Sequence, residues 1–246
     1  MVLSGALRVV LLCLLSLCLR GAEVLDRLRG NEVPEVNPNT LACIINDLHT
    51  RYNPQHGHQF ALAINVPVHY CVNEDSKLDK DFLKNDDPTD AIQAMNNDDR
   101  VYVGTSLIGA TKKKDGKTLY HSEYLLLKQK KPDETPMQML LKQNRKGCVI
   151  FYTYYSPCLG TCLNPANKKF NIFTALKEFG EHQGPKALVF RELYGKEERN
   201  QFEKAFQSVN NENVPLYRCD NTVCNSCVED GKVKAECLPQ RSCYLA

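Results

Sequence analysis

Four residues have the types and the order that hydrolytic metal chemistry requires. His121 and Glu123 are separated by one residue, and Cys158 and Cys162 follow with three residues between them. One imidazole and two thiolates supply three zinc ligands and leave a fourth position open for water. Zinc lowers the pKa of such a water, and Glu123 is the expected catalytic proton carrier. The pattern therefore predicts one Zn²⁺ per chain.

Each half of this pattern also has a simpler explanation. His-x-Glu occurs by chance in many proteins, and paired cysteines in an exported chain are commonly disulfide-bonded. Residues four apart in a first helical turn face the same way, so Cys158 and Cys162 could reach one ion. Gly160 and Pro165 predict that this helix is irregular. Disulfides at Cys158 and Cys162 remain the alternative to zinc.

The elements that position the motif are a predicted strand and a predicted helix. Cys148 to Tyr155 is a continuous apolar and aromatic run that ends at Ser156-Pro157. Such runs are typical of a central strand covered on both faces. His121 to Lys130 is compatible with a helix. The two halves of the motif are therefore expected at adjacent strand ends.

The remaining segments alternate between strand and helix. Strands are predicted over 60–68, 100–110, 187–190 and 214–217, and helices over 41–48, 89–95, 137–144, 172–180 and 202–209. Asn37-Pro38 is a favourable start for the first helix. The order from residue 59 onward argues for an α/β sandwich with a mixed sheet.

The N-terminus predicts export. Residues 1–22 have Arg8, an apolar run too short to span a bilayer, and small residues near a cleavage site, as a signal peptide does. No later stretch suits a transmembrane helix. We therefore expect a secreted, extracellular protein without stable membrane association.

Ten cysteines remain after such a cleavage, and most are expected in disulfides. Cys43 and Cys71 are a candidate pair between the first helix and the end of the first strand. Residues 219–246 hold five cysteines with little periodicity, which predicts a disulfide-rich tail. A second zinc at Cys224-x-x-Cys227 is the less favoured reading of this tail.

The charge distribution is neutral overall but uneven along the chain. Removing Arg8 and Arg20 with the signal peptide leaves 29 basic and 29 acidic side chains, unlike a dedicated nucleic-acid binder. Residues 70–99 hold nine acids and three lysines, whereas residues 100–170 hold thirteen basic residues and four acids. The basic segment is either solvated surface or a means of attracting substrate.

Two short stretches resemble a known family. Tyr155-Ser156-Pro157-Cys158 resembles the S-W-S-P-C segment of AID/APOBEC-like polynucleotide deaminases, with Tyr155 in the tryptophan place, and His121 with Glu123 completes their zinc pattern. Arg191-Glu192-Leu193-Tyr194 resembles the family's R-x-Y loop. With its signal peptide and tail, the chain is most similar to secreted AID/APOBEC-like deaminases over roughly residues 59–220.

This resemblance implies a fold and an activity. The fold is α/β: a three-layer α/β/α cytidine deaminase-like fold with a five-stranded mixed sheet. The activity is hydrolytic deamination of cytosine, or less favourably adenine, in single-stranded nucleic acid or nucleosides. By analogy, Tyr155 and Tyr194 would wall the base pocket by stacking. The implied organisation is an N-terminal helical segment (23–58), a deaminase-like domain (59–220) and a cysteine-rich tail (221–246).

The chain also departs from the family pattern. Three residues separate the two cysteines instead of two, and no asparagine occurs between Val101 and His121, where the family has a ribose contact. These departures favour an alternative function: a catalytically inactive, secreted binding protein with a structural zinc or disulfides in the same fold. The sequence carries no indication of oligomeric state.

Overall fold

A computed structural model describes residues 33–54, 59–73, 78–130 and 132–240. The chain divides into Met1–Pro34 and Glu35–Ala246, and the elements below belong to the second unit. The predicted signal peptide lies outside the described residues and stays a prediction. In chain order the elements are α1 (Pro38–Tyr52), β1 (Phe60–Val66), α2 (His69–Val72), α3 (Pro88–Asn96), β2 (Val101–Val103), β3 (Leu107–Thr111), β4 (Lys113–Asp115), β5 (Thr118–Tyr120), α4 (Ser122–Leu127), α5 (Pro136–Gln143), β6 (Cys148–Tyr155), α6 (Phe173–Gly180), β7 (Lys186–Glu192), α7 (Arg199–Asn211), β8 (Leu216–Cys219), β9 (Cys224–Ser226), β10 (Val228–Glu229), β11 (Lys232–Val233) and a 3₁₀ turn (Ala235–Cys237).

A seven-stranded sheet forms the middle layer, in the order β2-β3-β1-β6-β7-β8-β9. β1 runs antiparallel to β3 and β6, whereas β6, β7 and β8 are parallel to one another. The mixed sheet is therefore confirmed. Five central strands match the number that the resemblance implies, and the three-residue strands β2 and β9 add one strand at each edge.

Helices cover both faces of this sheet, which confirms the three layers. Successive side chains of a strand point to opposite faces. Ile150 and Tyr152 accordingly pack with α1 and α3, whereas Val149 and Phe151 pack with α4 to α7. The apolar run of β6 is therefore buried on both sides, as predicted. Within the described ranges, no helix has both the length and the apolarity needed to cross a membrane.

The first helix begins where the sequence predicts. The Asn37 side chain accepts hydrogen bonds from the amides of Asn39 (2.9 Å) and Thr40 (3.3 Å), which would otherwise lack partners at the helix start. Pro38 occupies the first turn, where a missing amide hydrogen costs nothing. This cap fixes the point at which α1 starts to pack on the sheet.

The strand predicted over 100–110 is instead a hairpin of β2 and β3. Asp86, fully buried, accepts hydrogen bonds from the amides of Thr105 (2.8 Å) and Ser106 (2.9 Å) and from the Tyr102 hydroxyl (3.1 Å). These bonds hold a turn in the middle of the predicted strand. A residue twenty positions away in sequence thus decides the local structure.

Three disulfides join described cysteines: Cys71–Cys148, Cys219–Cys224 and Cys227–Cys237. The candidate pair Cys43–Cys71 is wrong. The antiparallel register Val66↔Cys148 brings the chain just after β1 beside the start of β6, so Cys71 meets Cys148. Cys43 is exposed and unbonded among the described residues.

The C-terminal region is disulfide-bonded, as predicted. Cys224 and Cys227 belong to two different disulfides, which excludes a second zinc between them. The predicted boundaries at residues 58 and 220 remain predictions.

Candidate metal centre and active site

The two halves of the sequence motif meet at one edge of the sheet. β6 ends at Tyr155, and Cys158 follows three residues later. His121 lies directly before α4 in extended backbone, because the β4–β5 hairpin ends at Tyr120 and the helix begins at Ser122. α4 packs on β3 and β1, and β1 pairs with β6. His121 is thereby brought to the end of the central strand.

Three metal-ligating side chains converge there. The ligand atoms of His121, Cys158 and Cys162 all lie within 4.8 Å of one another. His121 Nδ1 and Cys162 Sγ are 3.6 Å apart. Zinc bond lengths of about 2.1 Å to nitrogen and 2.3 Å to sulfur give a tetrahedral edge of about 3.6 Å. The donor set and this separation therefore fit zinc.

A turn, not a helix, presents the two cysteines. Residues 159–163 form successive turns, and α6 begins only at Phe173. The Leu163 amide donates to the Cys158 carbonyl (3.0 Å), and the Ile172 amide donates to the Cys162 carbonyl (2.9 Å). The expected helical turn is thus wrong, and the predicted irregularity is confirmed. Pro165 has no amide hydrogen to donate to the Thr161 carbonyl, which a continuing helix would require. The wide turn nevertheless brings both sulfur atoms to the same point.

Cys158 carries a negative charge at this point, whereas Cys162 keeps its proton. Hydrogen bonds from the Cys162 thiol, His121 and Thr161 lower the pKa of Cys158 to about 3. The pKa of Cys162 is raised because its thiol donates to Cys158 and is buried. The hydrogen bond to Cys158 also raises the pKa of His121. A divalent cation would deprotonate both thiols, since coordinated thiols ionise outright.

Glu123 lies buried beside this cluster. It is the second residue of α4 and is only 4% exposed. Burial raises the pKa of its carboxyl group. The Ser122 hydroxyl donates to Glu123 Oε2 at 3.1 Å. A carboxyl group with a raised pKa, next to metal ligands, is suited to taking up and returning a proton.

Two tyrosine rings lie close to the cluster of His121, Cys158 and Cys162. The rings of Tyr155 and Tyr194 are 5.8 Å apart, and that of Tyr194 is 6.2 Å from the His121 ring. Tyr194 is 37% exposed. The Ser156 amide donates to the Glu192 carbonyl (2.7 Å), and the Tyr194 amide donates to the Ser156 hydroxyl (3.0 Å). The parallel pairing of β6 with β7 thus places Tyr155 and Tyr194 beside the cluster, where all six predicted site residues come together.

Sequence reasoning did not assign roles to three neighbours of the cluster. The Thr161 hydroxyl contacts Cys158 Sγ and lies 3.9 Å from Cys162 Sγ. Ser122 binds Glu123, and the positive charge of Lys112 opposes protonation of His121. Ser122 and Thr161 occupy variable positions of the motif, so no pattern marks them.

A comparison with protein families decides the relationship. The family described as Secreted Novel AID/APOBEC-like Deaminase 1 matches residues 38–241. The chain belongs to this family. The predicted resemblance is therefore confirmed, and the mixed sheet with helices on both faces is consistent with a deaminase-like fold. The family description includes secretion, and disulfides are typical of extracellular proteins. No curated protein and no solved structure matches the chain.

Proposed function

We propose that the protein is a secreted, zinc-dependent hydrolytic deaminase that acts on cytosine, in preference to adenine, in single-stranded nucleic acid or nucleosides. The observation that carries this proposal is the convergence of His121, Cys158 and Cys162 within 4.8 Å beside the buried Glu123. Membership of an AID/APOBEC-like deaminase family supports it.

The residues divide the chemistry between them. His121, Cys158 and Cys162 would hold the zinc, which when bound would supply a Lewis acid that activates the attacking water. Glu123 takes a proton from the attacking water and delivers it to the ring nitrogen next to the amino-bearing carbon. The same carboxyl group then moves the water's second proton to the departing amino group. Water and the aminated ring thereby give a carbonyl and ammonia.

The surroundings of Glu123 favour this proton transfer. Because its side chain is buried, its carboxyl group is protonated at higher pH than an exposed glutamate and can return the proton. The Ser122 hydroxyl holds one carboxyl oxygen, which limits its rotation.

The tyrosines would form the wall of the base pocket. Tyr194 is partly exposed and its ring lies edge-on to His121, so one face is available for a planar base. Stacking on aromatic rings accepts any base, since every base has a π-face. The rings of Tyr155 and Tyr194 would therefore fix the plane of the bound base, and the choice of base would depend on other contacts.

The test compares Glu123→Gln with Cys158→Ser in the purified mature protein. We expect one zinc per chain in the wild type and in Glu123→Gln, and loss of zinc in Cys158→Ser. Deamination of cytidine and of single-stranded oligonucleotides should fall by at least about 100-fold in Glu123→Gln, the usual effect of removing a general acid–base. Glu181→Gln, an exposed carboxyl group beyond α6, is the matched control and should change neither property.

The alternative is a secreted binding protein without turnover, with a structural zinc or disulfides at this site. The missing asparagine between Val101 and His121 is the observation that favours it. Zinc in the wild type, with no deamination of any substrate and no effect of Glu123→Gln, would establish that alternative. Peptide mass spectrometry that finds Cys158 and Cys162 in disulfides would rule out the metal site.

A further inference from the structure

A loop over residues 163–172 joins the second cysteine of the metal centre to α6. Both ends of the loop are anchored, because the Leu163 and Ile172 side chains are buried in the core. The Ile172 amide donates to the Cys162 carbonyl at 2.9 Å and closes the loop at its base. In a continuing helix, an amide four residues further on would bind this carbonyl. The loop therefore fixes the backbone of Cys162 in place of a helix.

Asparagine side chains give this loop a defined conformation. Asn164 Nδ2 donates to the Gly160 carbonyl at 3.2 Å, which ties the start of the loop to the turn between the two cysteines. Asn167 Oδ1 accepts from the Phe170 amide at 3.2 Å. The Asn167 carbonyl accepts from the amide and from the side chain of Asn171, at 2.9 and 2.7 Å. Short polar side chains that bind nearby backbone offer the chain an alternative to helix. These bonds determine where Phe170 lies.

The Phe170 ring contacts the residues on either side of His121. Its centroid is 5.9 Å from that of Tyr120 and 5.4 Å from that of Tyr124, and both pairs are edge-to-face. The two tyrosine rings are themselves 5.4 Å apart, so each of the three rings contacts the other two. Tyr120 directly precedes His121, and Tyr124 lies on the first turn of α4. These three rings are called the aromatic clasp below.

The aromatic clasp connects the two sequence halves of the metal centre. His121 precedes α4, whereas the cysteines follow β6, so the two halves reach the cluster on separate elements. Phe170 belongs to the loop that holds the Cys162 backbone, and its ring packs beside His121. The separation of 3.6 Å between His121 Nδ1 and Cys162 Sγ thus depends on this contact. Metal affinity depends on such supporting contacts as well as on the ligands themselves.

We propose that Phe170 is a positioning residue for the metal centre: its ring holds the 163–172 loop against the residues that flank His121, so that the cysteine and histidine ligands keep the spacing that zinc requires. The inference rests on the proposed function, because it takes zinc as the occupant of the cluster.

The test is the zinc dissociation constant of the purified mature protein, measured by competition with a chromophoric chelator. Phe170→Ala should raise this constant about tenfold, the lower end of the usual effect of removing a supporting contact. Phe170→Tyr keeps the ring at a partly exposed position and should retain the wild-type constant. The matched control Phe173→Ala removes the same side chain from a partly buried position at the start of α6 and should also leave the constant unchanged.

Urea denaturation with and without zinc separates positioning from general packing. A ligand that binds only the folded state stabilises it by an amount that depends on its dissociation constant. A tenfold weaker constant should reduce the stabilisation by zinc by about 1.4 kcal/mol in Phe170→Ala. A residue that contributed only packing would lower the stability of the apo and zinc-bound proteins equally, and the stabilisation by zinc would stay unchanged.

The outcomes separate this inference from the proposed function. An unchanged zinc constant in Phe170→Ala, or an equal rise in Phe173→Ala, overturns the aromatic clasp even if the wild type deaminates cytidine. A rise confined to Phe170→Ala, in a protein that deaminates nothing, supports the clasp and refutes only the enzyme. A correctly folded wild type that binds no zinc overturns both proposals. If Phe170→Ala does not fold, Phe170→Leu replaces it, since leucine lacks the ring but keeps apolar contact, and the same rise is expected.

Discussion

Removing the Cys71–Cys148 disulfide should destabilise the protein more than removing any shorter one. The bond links residues 77 positions apart, between α2 and the first residue of the central strand. In the chain-entropy treatment, a loop of this length contributes about 4.5 kcal/mol by restricting the unfolded chain. Cys219–Cys224, with a separation of 5, contributes only about 2 kcal/mol by the same relation.

The two disulfides form a matched comparison, because all four cysteines are buried. Cys71→Ala/Cys148→Ala and Cys219→Ala/Cys224→Ala therefore lose similar packing and differ mainly in loop length. Urea denaturation should show an additional loss of about 2.5 kcal/mol for the first variant. Equal losses, or a larger loss for the short loop, would refute the reasoning. Zinc content should be unchanged in both, since neither disulfide contacts the metal cluster.

Three further predictions concern single side chains. Asp86→Ala removes the buried acceptor of three hydrogen bonds, from the amides of Thr105 and Ser106 and from the Tyr102 hydroxyl, and should cost about 3 kcal/mol in urea denaturation, whereas Asp86→Asn retains one acceptor oxygen and should cost less. Burial lowers the pKa of His182, whose Nε2 donates to the Gly147 carbonyl at 2.8 Å, so the folded state binds fewer protons than the unfolded state below about pH 6.5. Wild-type stability should therefore fall as the pH drops from 7.5 to 5.5, and His182→Gln should flatten this fall; a parallel fall in both proteins would contradict the assignment. Tyr194→Ala should raise KM for oligonucleotides about tenfold, as expected for the loss of one base-stacking contact, while Tyr194→Phe should retain the wild-type value; equal effects of the two changes would argue against stacking.

The sequence is most informative where one physical cause dominates. An apolar run such as 148–155 must be buried, and a run without alternation must be buried on both faces, so the central strand could be predicted from composition alone. The start of α1 could also be predicted, because it depends on a local cap at Asn37. The convergence of His121 with the two cysteines followed from their order relative to the predicted strands.

Features that depend on distant partners could not be predicted in this way. The break between β2 and β3 depends on Asp86, and the pairing of Cys71 depends on the register of β1 against β6. Arg100 and Lys112 to Lys114 line one cavity, and only the folded hairpins bring them together. The turn at Cys158 shows the opposite case: its backbone departs from the expected helix, yet the sulfur positions are as the metal would require.

The cysteines at the two ends of strand β6 are in different oxidation states. Its first residue, Cys148, is in a disulfide, whereas Cys158 and Cys162, just beyond its far end, are thiols within 4.8 Å of each other. A thiolate such as that of Cys158 attacks disulfides readily, so the oxidants that join Cys71 to Cys148 during export can also join the two thiols. If the cluster holds zinc, as we propose, the metal would have to bind before oxidation is complete. Production in a reducing cytosol would keep Cys158 and Cys162 as thiols, but it would leave Cys148 without its disulfide bond to Cys71.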